Sequence, residues 1–271
     1  MDRIAPTRRP DGRPAGFQRW RTLAFLHWEV PVDAVAALLP AGLQVDTFEG
    51  RAYVGVVPFT MRDVSPWWSP SVPGVSNFHE LNVRTYVTAG DCPGVWFFSL
   101  DAASSIAVVA ARTGWHLPYH RASMELDVSG HGEGDPHVLG ASEGAVRYTS
   151  RRLWPGPRPA ELDLSYRIGE SIGEAEPGTF EHFLAERYVL FARTWAGLLW
   201  GQVHHRPYPL HRAEVIDLRE SVVAAAGLPA TSGPPAHVLY SPGVDVDVFP
   251  LLPVEPEGDT NGRAGGGERL E

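Results

Sequence analysis

The sequence contains no lysine: all 23 of its Lys+Arg residues are arginines. Without a side-chain amine no Schiff base can form, which excludes lysine-imine and pyridoxal chemistry. A Walker-type phosphate loop would likewise lack its lysine. Cysteine is almost as scarce. Cys92 stands alone, so an intrachain disulfide and a cysteine metal cluster are both excluded. Lying between Asp91 and Pro93 with nothing cationic beside it, that thiol is a poor nucleophile. No apolar run reaches the about 18 residues of a membrane-spanning helix, and no membrane partner is expected. The first residues are rich in Arg and Pro and lack the apolar centre of a secretory signal, so the cytoplasm is the expected location. A net charge of −9 leaves too little basic surface to expect a nucleic-acid partner. G-x-S-x-G, a strand-borne G-x-G-x-x-G and a calcium loop are all missing.

What is present reads as one strand-rich domain over 17–254, after a polar leader (1–16) with three prolines and before a Gly- and acid-rich tail (255–271), both expected to be disordered. Short β-like runs occupy 22–27, 51–61, 81–87, 95–100, 122–128 and 145–151, with turn signals at Gly90-Asp91 and 130–134. They suggest antiparallel strands. Helices are expected at 32–39, 101–113 and 179–185, and 214–227 reads as strand then helix. Many strands with few helices indicate a mainly β (α+β) barrel or sandwich with helices packed outside.

The most informative segment is Phe78-His79-Glu80-Leu81-Asn82-Val83-Arg84-Thr85-Tyr86. On a strand Leu81, Val83, Thr85 and Val87 share one face, and Glu80, Asn82, Arg84 and Tyr86 the other. The polar face either meets water or lines a cavity. The crowding of these groups, with Arg84 placed to pair with Glu80, weighs slightly towards a cavity. A second segment, Leu117-Pro118-Tyr119-His120-Arg121-Ala122, reads either as a loop with exposed polar residues or as the entry to a barrel mouth. In the second case His120 suits acid/base work near neutrality and Arg121 suits bidentate capture of a carboxylate. Three histidines, His204, His205 and His211, occupy 201–212. They lack H-E-x-x-H spacing, and adjacent residues on a strand point to opposite faces, so no metal site is expected. His27, among apolar neighbours, reads as a core residue.

Several motifs together resemble the YqjF-like family of bacterial proteins of unknown function, a domain-of-unknown-function family numbered 2071. They are Leu26-His27-Trp28 with Val30-Pro31, Val57-Pro58-Phe59-x-Met61, the Glu80–Val87 segment, Gly94 to Ala102, Leu117-Pro118-Tyr119, Phe183-Leu184-x-Glu186-Arg187-Tyr188 and His205-x-Pro207-x-Pro209-Leu210. The resemblance places the chain in the acetoacetate-decarboxylase-like superfamily. It implies a cone-shaped, mainly antiparallel β-barrel with a few peripheral helices and a central pocket. Phe78-His79-Glu80 falls where the decarboxylases carry an active-site carboxylate, so Glu80 carries over. Pro118-Tyr119-His120-Arg121 falls near their lysine pair, and the lysines do not carry over. Decarboxylation through an imine is therefore rejected.

The expected function is non-imine acid/base chemistry, of lyase or isomerase type, on a small anionic, oxygen-rich compound such as a carboxylate. Glu80 and His120 would move protons, and Arg84, Asn82, Tyr86, Tyr119 and Arg121 would hold the substrate. No cofactor is expected, and the oligomeric state is left open, a homo-oligomer included. The alternatives are a non-catalytic ligand-binding barrel and a structural protein without a ligand.

Overall fold

The computed structural model describes residues 2–128 and 145–254. Its strands follow the period of two that a half-buried sheet requires. In 161–173, for instance, Leu162, Leu164, Tyr166 and Ile168 are buried while their neighbours are more exposed. The elements are β1 (Gly16–Val30), α1 (Val32–Ala36), β2 (Gln44–Val45), β3 (Ala52–Pro66), β4 (Phe78–Ala89), β5 (Cys92–Ala102), α2 (Ser105–Gly114), β6 (Tyr119–Val128), β7 (Ala145–Trp154), β8 (Glu161–Gly173), α3 (Phe180–Ala185), β9 (Val189–Thr194), β10 (Gly197–His204), β11 (Leu210–Glu220), α4 (Val222–Ala225), β12 (His237–Val248) and β13 (Leu252–Pro253).

The strands form a single sheet that curves into a ring, and the fold is mainly β, as expected. Two closed circuits share β12, β1, β3, β4 and β5. One continues through β6, β7, β8 and β11; the other closes through β9 and β10, because β5 pairs with β9 and β10 pairs with β12. The first circuit is filled: Leu26, Val54, Leu81, Val83, Tyr148, Leu164 and Tyr166 belong to one packed cluster. The second retains a cavity. β4 is thus a wall between the two, and its residues from Glu80 to Thr88 are all buried. The pairing is not wholly antiparallel: β5 runs parallel to both β6 and β9.

Boundaries differ from the sequence expectation for local reasons. Asp101 and Ala102 remain in β5, paired with Leu81 and Glu80. The helix begins only at Ser105, after the Ser104 hydroxyl accepts a bond from the Ala107 amide. The 32–39 helix ends at Ala36. Residues 117–122, legible as a loop or a strand entry, contain the start of β6 at Tyr119. The segment before β1, expected as a disordered leader, lies against the barrel. Arg9 pairs with Asp247, and Gln202 donates to the carbonyls of Pro6 and Arg8. Arginines and backbone carbonyls supply these contacts, which a reading by apolar content alone overlooks. The turn expected at 130–134 and the tail at 255–271 lie outside the described residues.

One charged contact ties the parallel strands to β7. Arg152 grips Asp101 through two hydrogen bonds, Nε to Oδ1 at 2.7 Å and Nη2 to Oδ2 at 3.0 Å, with side chains 0% and 1% exposed. Such a pair is weakly stabilising as a whole, yet removing one partner strands the other charge. Asp101→Ala should therefore cost about 3–5 kcal/mol in urea unfolding. A loss below about 1 kcal/mol, the range of an exposed pair, would contradict this.

Candidate active site

The cavity of the second circuit has a volume of about 230 Å³. Its walls can be read rung by rung, because residues paired across antiparallel strands share a face. Along β4 the inward residues are Phe78, Glu80, Asn82 and Arg84, and on β3 they face Met61, Phe59, Val57 and Gly55. All of these except Gly55 line the cavity. The expected alternation of β4 is therefore what the fold uses. The opposite face, with Leu81 and Val83, packs into the filled core. At Arg84 the rung needs glycine: a Cβ on Gly55 would lie 3.4 Å from Arg84 Cγ and 3.2 Å from the His27 ring. Both distances are tighter than or at the edge of ordinary contact.

Glu80 is 2% exposed, and its Oε2 accepts a 2.7 Å bond from the Tyr119 hydroxyl. Burial pushes its carboxyl up to about 8; the Asp101 charge adds to this, and the Tyr119 bond opposes it. At neutral pH Glu80 is a carboxylic acid, with Oε1 left to carry the proton. Its main chain is held as well, since Tyr148 Oη lies 2.9 Å from Glu80 O and 3.1 Å from Phe59 O.

Arg84 lies deeper. Its Nη2 donates to the Leu184 carbonyl at 3.1 Å, an acceptor left over at the end of α3. Its Nε has no partner, and no carboxylate of the described residues pairs with it. Asn82 Oδ1 is buried without a partner too. The expected Glu80–Arg84 ion pair does not form; the two groups are satisfied, in part, by different neighbours. Arg187 also reaches the cavity. Its Nε donates to Phe183 O and its Nη1 to Asp46, each at 2.8 Å, while Nη2 has no partner. Asp46 is shared with Arg3, so this trio keeps a net positive charge.

The remaining expected site residues lie elsewhere. Tyr86 follows Arg84 on the same face but sits behind it. Its hydroxyl donates to Leu184 O at 2.8 Å and lies 2.7 Å from His27 Nε2. Since the Tyr86 proton is committed, His27 donates from Nε2, and its Nδ1 is left bare in the core. Burial, with Arg84 second, pushes the His27 pKa down. Of the second segment, Leu117 and Tyr119 line the cavity, and Tyr119 is the only one of its three expected site residues to do so. His120 points the other way by the alternation of β6: it pairs in register with Asp101, and its Nδ1 lies 2.9 Å from Pro155 O. Burial and Arg152 push it down to about 4. Arg121 donates to Ser105 Oγ at the start of α2 and to Ala122 O, and does not line the cavity. Sequence reasoning did not single out Arg187, Tyr188 and Tyr208, which do line it. Tyr188 is held by Glu186, its hydroxyl donating at 2.6 Å. The flanking prolines of Tyr208 and the Glu186-Arg187-Tyr188 triplet were the available signals.

A single sheet curved into a ring, with few helices, is the fold of acetoacetate-decarboxylase-like proteins. The structure is similar to the enduracididine biosynthesis enzyme MppR complexed with pyruvate, at 14% identity over 88% of this chain and 90% of that one, with a TM-score of 0.56. It is also similar to acetoacetate decarboxylase from Legionella pneumophila, at 14% identity over 90% of this chain and 88% of that one, with a TM-score of 0.55. The chain belongs to the DUF2071 family of uncharacterized conserved proteins, whose model matches residues 17–245. It is 34% identical to the uncharacterized protein YqjF of Bacillus subtilis over 242 residues, 89% of this chain and 93% of that protein.

The raised pKa of Glu80 has a sign that can be measured. Between the ordinary 4.5 and about 8 the folded protein keeps a proton that the unfolded chain releases. Glu80 thus favours folding most below pH 4.5, and that contribution is lost as pH rises towards 8, by up to about 1.4 kcal/mol per pH unit. Unfolding of the wild type and of Glu80→Gln, compared at pH 5 and pH 8, should show the wild type losing ground to the variant as pH rises. A gap that stays constant would contradict a buried neutral Glu80.

Proposed function

We propose that the protein binds a small carboxylate in this cavity and moves a proton on it without forming an imine. The observation that carries the reading is Arg84, a buried guanidinium in a mostly apolar cavity with no carboxylate beside it and an unused Nε. A desolvated charge without a counter-ion costs several kcal/mol. An anionic ligand supplies the missing charge and the missing acceptor, in charge-assisted hydrogen bonds stronger than neutral ones. Asn82 and Arg187 offer further unused polar atoms in the same cavity.

Glu80 stands four residues along the strand, roughly 13 Å at the Cα atoms, and both side chains project into the same space. Its proton is available at neutral pH for an oxygen or carbon near a carboxylate held by Arg84. In an enol-forming step, the C–H bond next to the carbonyl breaks and its proton passes to solvent water, its electron pair becomes the C=C bond, and the carbonyl oxygen takes the proton from Glu80 Oε1. The resulting carboxylate keeps its bond from Tyr119 and takes the hydroxyl proton back as the carbon regains a proton from water and the enol reverts to the ketone. Lyase and isomerase reactions of oxo acids both pass through such a step, and a low-dielectric cavity strengthens it. Pyruvate bound to MppR supports an oxo acid as the probe. The absence of lysine directs the chemistry away from an imine.

A second reading, a non-catalytic ligand-binding barrel, is favoured by one observation. Glu80 is the single carboxyl among the described lining residues, which include no histidine or cysteine. Thermal denaturation with pyruvate and with small 3-oxo acids, coupled to product detection by mass spectrometry, separates the two. A ligand that binds only the folded state raises the melting temperature, by about 2.7 kcal/mol of stability at one hundred times Kd. The wild type should show the rise and form product. Arg84→Met should show neither, and Glu80→Gln should keep the rise and lose the product. A rise without product in the wild type would leave a binding protein, and no rise with any acid would reject the carboxylate.

A further inference from the structure

The same rungs that place the polar groups also order them, and the order is one-sided. At the Arg84 end lie Arg84, Asn82 and Arg187. Glu80 is intermediate. Beyond it the next rung is Trp20, Met61 and Phe78, three large apolar side chains in register across β1, β3 and β4. Trp20 stacks edge-on against Phe59 at 5.9 Å. Ala107, Ala110 and Ala111 of α2, with Trp115, line this end as well. Alanine is the smallest side chain that still presents an apolar wall, so α2 leaves width where bulkier residues would fill it. Gln18, which also lines the cavity, accepts a 2.8 Å bond from the Trp20 indole.

From Phe78 to Arg84 the strand advances six residues, roughly 20 Å. A three-carbon acid held at Arg84 would leave the Trp20–Met61–Phe78 rung uncovered. Such a surface is poorly hydrated, and covering it with hydrocarbon is favourable in proportion to the area removed from water.

We propose that the ligand is an oxo acid with an apolar tail, its carboxylate at Arg84, its carbonyl beside Glu80 and its alkyl or aryl end on the Trp20–Met61–Phe78 rung under α2. The proposal rests on the carboxylate reading given above and adds the chemical class of the substituent.

Isothermal titration of straight-chain 2-oxo acids, from pyruvate to 2-oxooctanoate, tests it, with the 1-alkanols of matching length as a second arm. Each added methylene should tighten Kd by about fourfold until the cavity is filled. The alkanols should follow the same trend more weakly. Ala111→Phe should bring the plateau at a shorter chain. Equal Kd for all the acids, with binding still lost in Arg84→Met, would overturn the tail and keep the head. Alkanols that tighten with length while no acid binds would keep the apolar site and overturn the carboxylate head. No binding in either arm would overturn both.

Discussion

A β-strand sends its side chains alternately to two sides, and β4 is buried on both from Glu80 to Thr88. One side packs Leu81 and Val83 into the filled circuit; the other sends Phe78, Glu80, Asn82 and Arg84 into the cavity circuit. A polar residue on such a wall cannot escape to water. It must find a partner inside, change its protonation state, or wait for a ligand. Glu80 takes the first two courses, bonding Tyr119 and holding its proton. Arg84, whose guanidinium is always charged at biological pH, takes the third. A shift of one residue in the pairing of β3 with β4 would exchange the two faces and put Leu81 and Val83 in the cavity.

The two inward arginines differ in how their charge is met. Arg187 is locked to Asp46, and burial, with the Arg3 charge adding to it, lowers its pKa to about 10 against the opposing pull of that carboxylate. Arg84 has the Leu184 carbonyl, the Tyr86 side chain and the face of Phe25, with the two ring centroids at 5.8 and 5.5 Å. Aromatic faces attract a cation modestly and do not supply a negative charge. A neutral acid and an uncompensated cation in one cavity make a site complementary to an anion that accepts a proton. This is the physical basis for a carboxylate ligand in a chain that has no amine to offer.

How much of this is legible in the sequence depends on the residue. The alternation in 81–87 is strict and the glutamate, asparagine and arginine are all polar, so their common face follows from strand geometry. Tyr119 follows from the same rule, but His120 and Arg121 do not share its fate. His120, legible either as an exposed loop residue or as one at a barrel mouth, lies on β6 and faces Asp101 and Arg152 on the other side of the sheet. Only the strand's start at Tyr119 decides that, and the preceding Pro118 leaves it open. Arg187 and Tyr208 come from a turn after α3 and a proline-flanked loop, where no period links a residue to a face. They reach the cavity because β10 closes onto β12, a long-range pairing. The docked leader escapes for another reason: it is held by arginines and by side-chain bonds to its carbonyls rather than by an apolar pattern.

An uncompensated buried cation is a burden on the empty protein, and this can be weighed directly. Thermal unfolding of the unliganded wild type and of Arg84→Met, in a buffer free of carboxylates, compares the two states of the wall. Methionine keeps the apolar stem of arginine and removes its charge, while the Leu184 carbonyl retains the Tyr86 hydroxyl. Replacing a poorly compensated buried charge by hydrocarbon is often stabilising, by about 1–4 kcal/mol. The variant should therefore melt at a higher temperature than the wild type. A lower melting temperature would mean that Arg84 is already satisfied within the fold, and that no anion is needed to complete it.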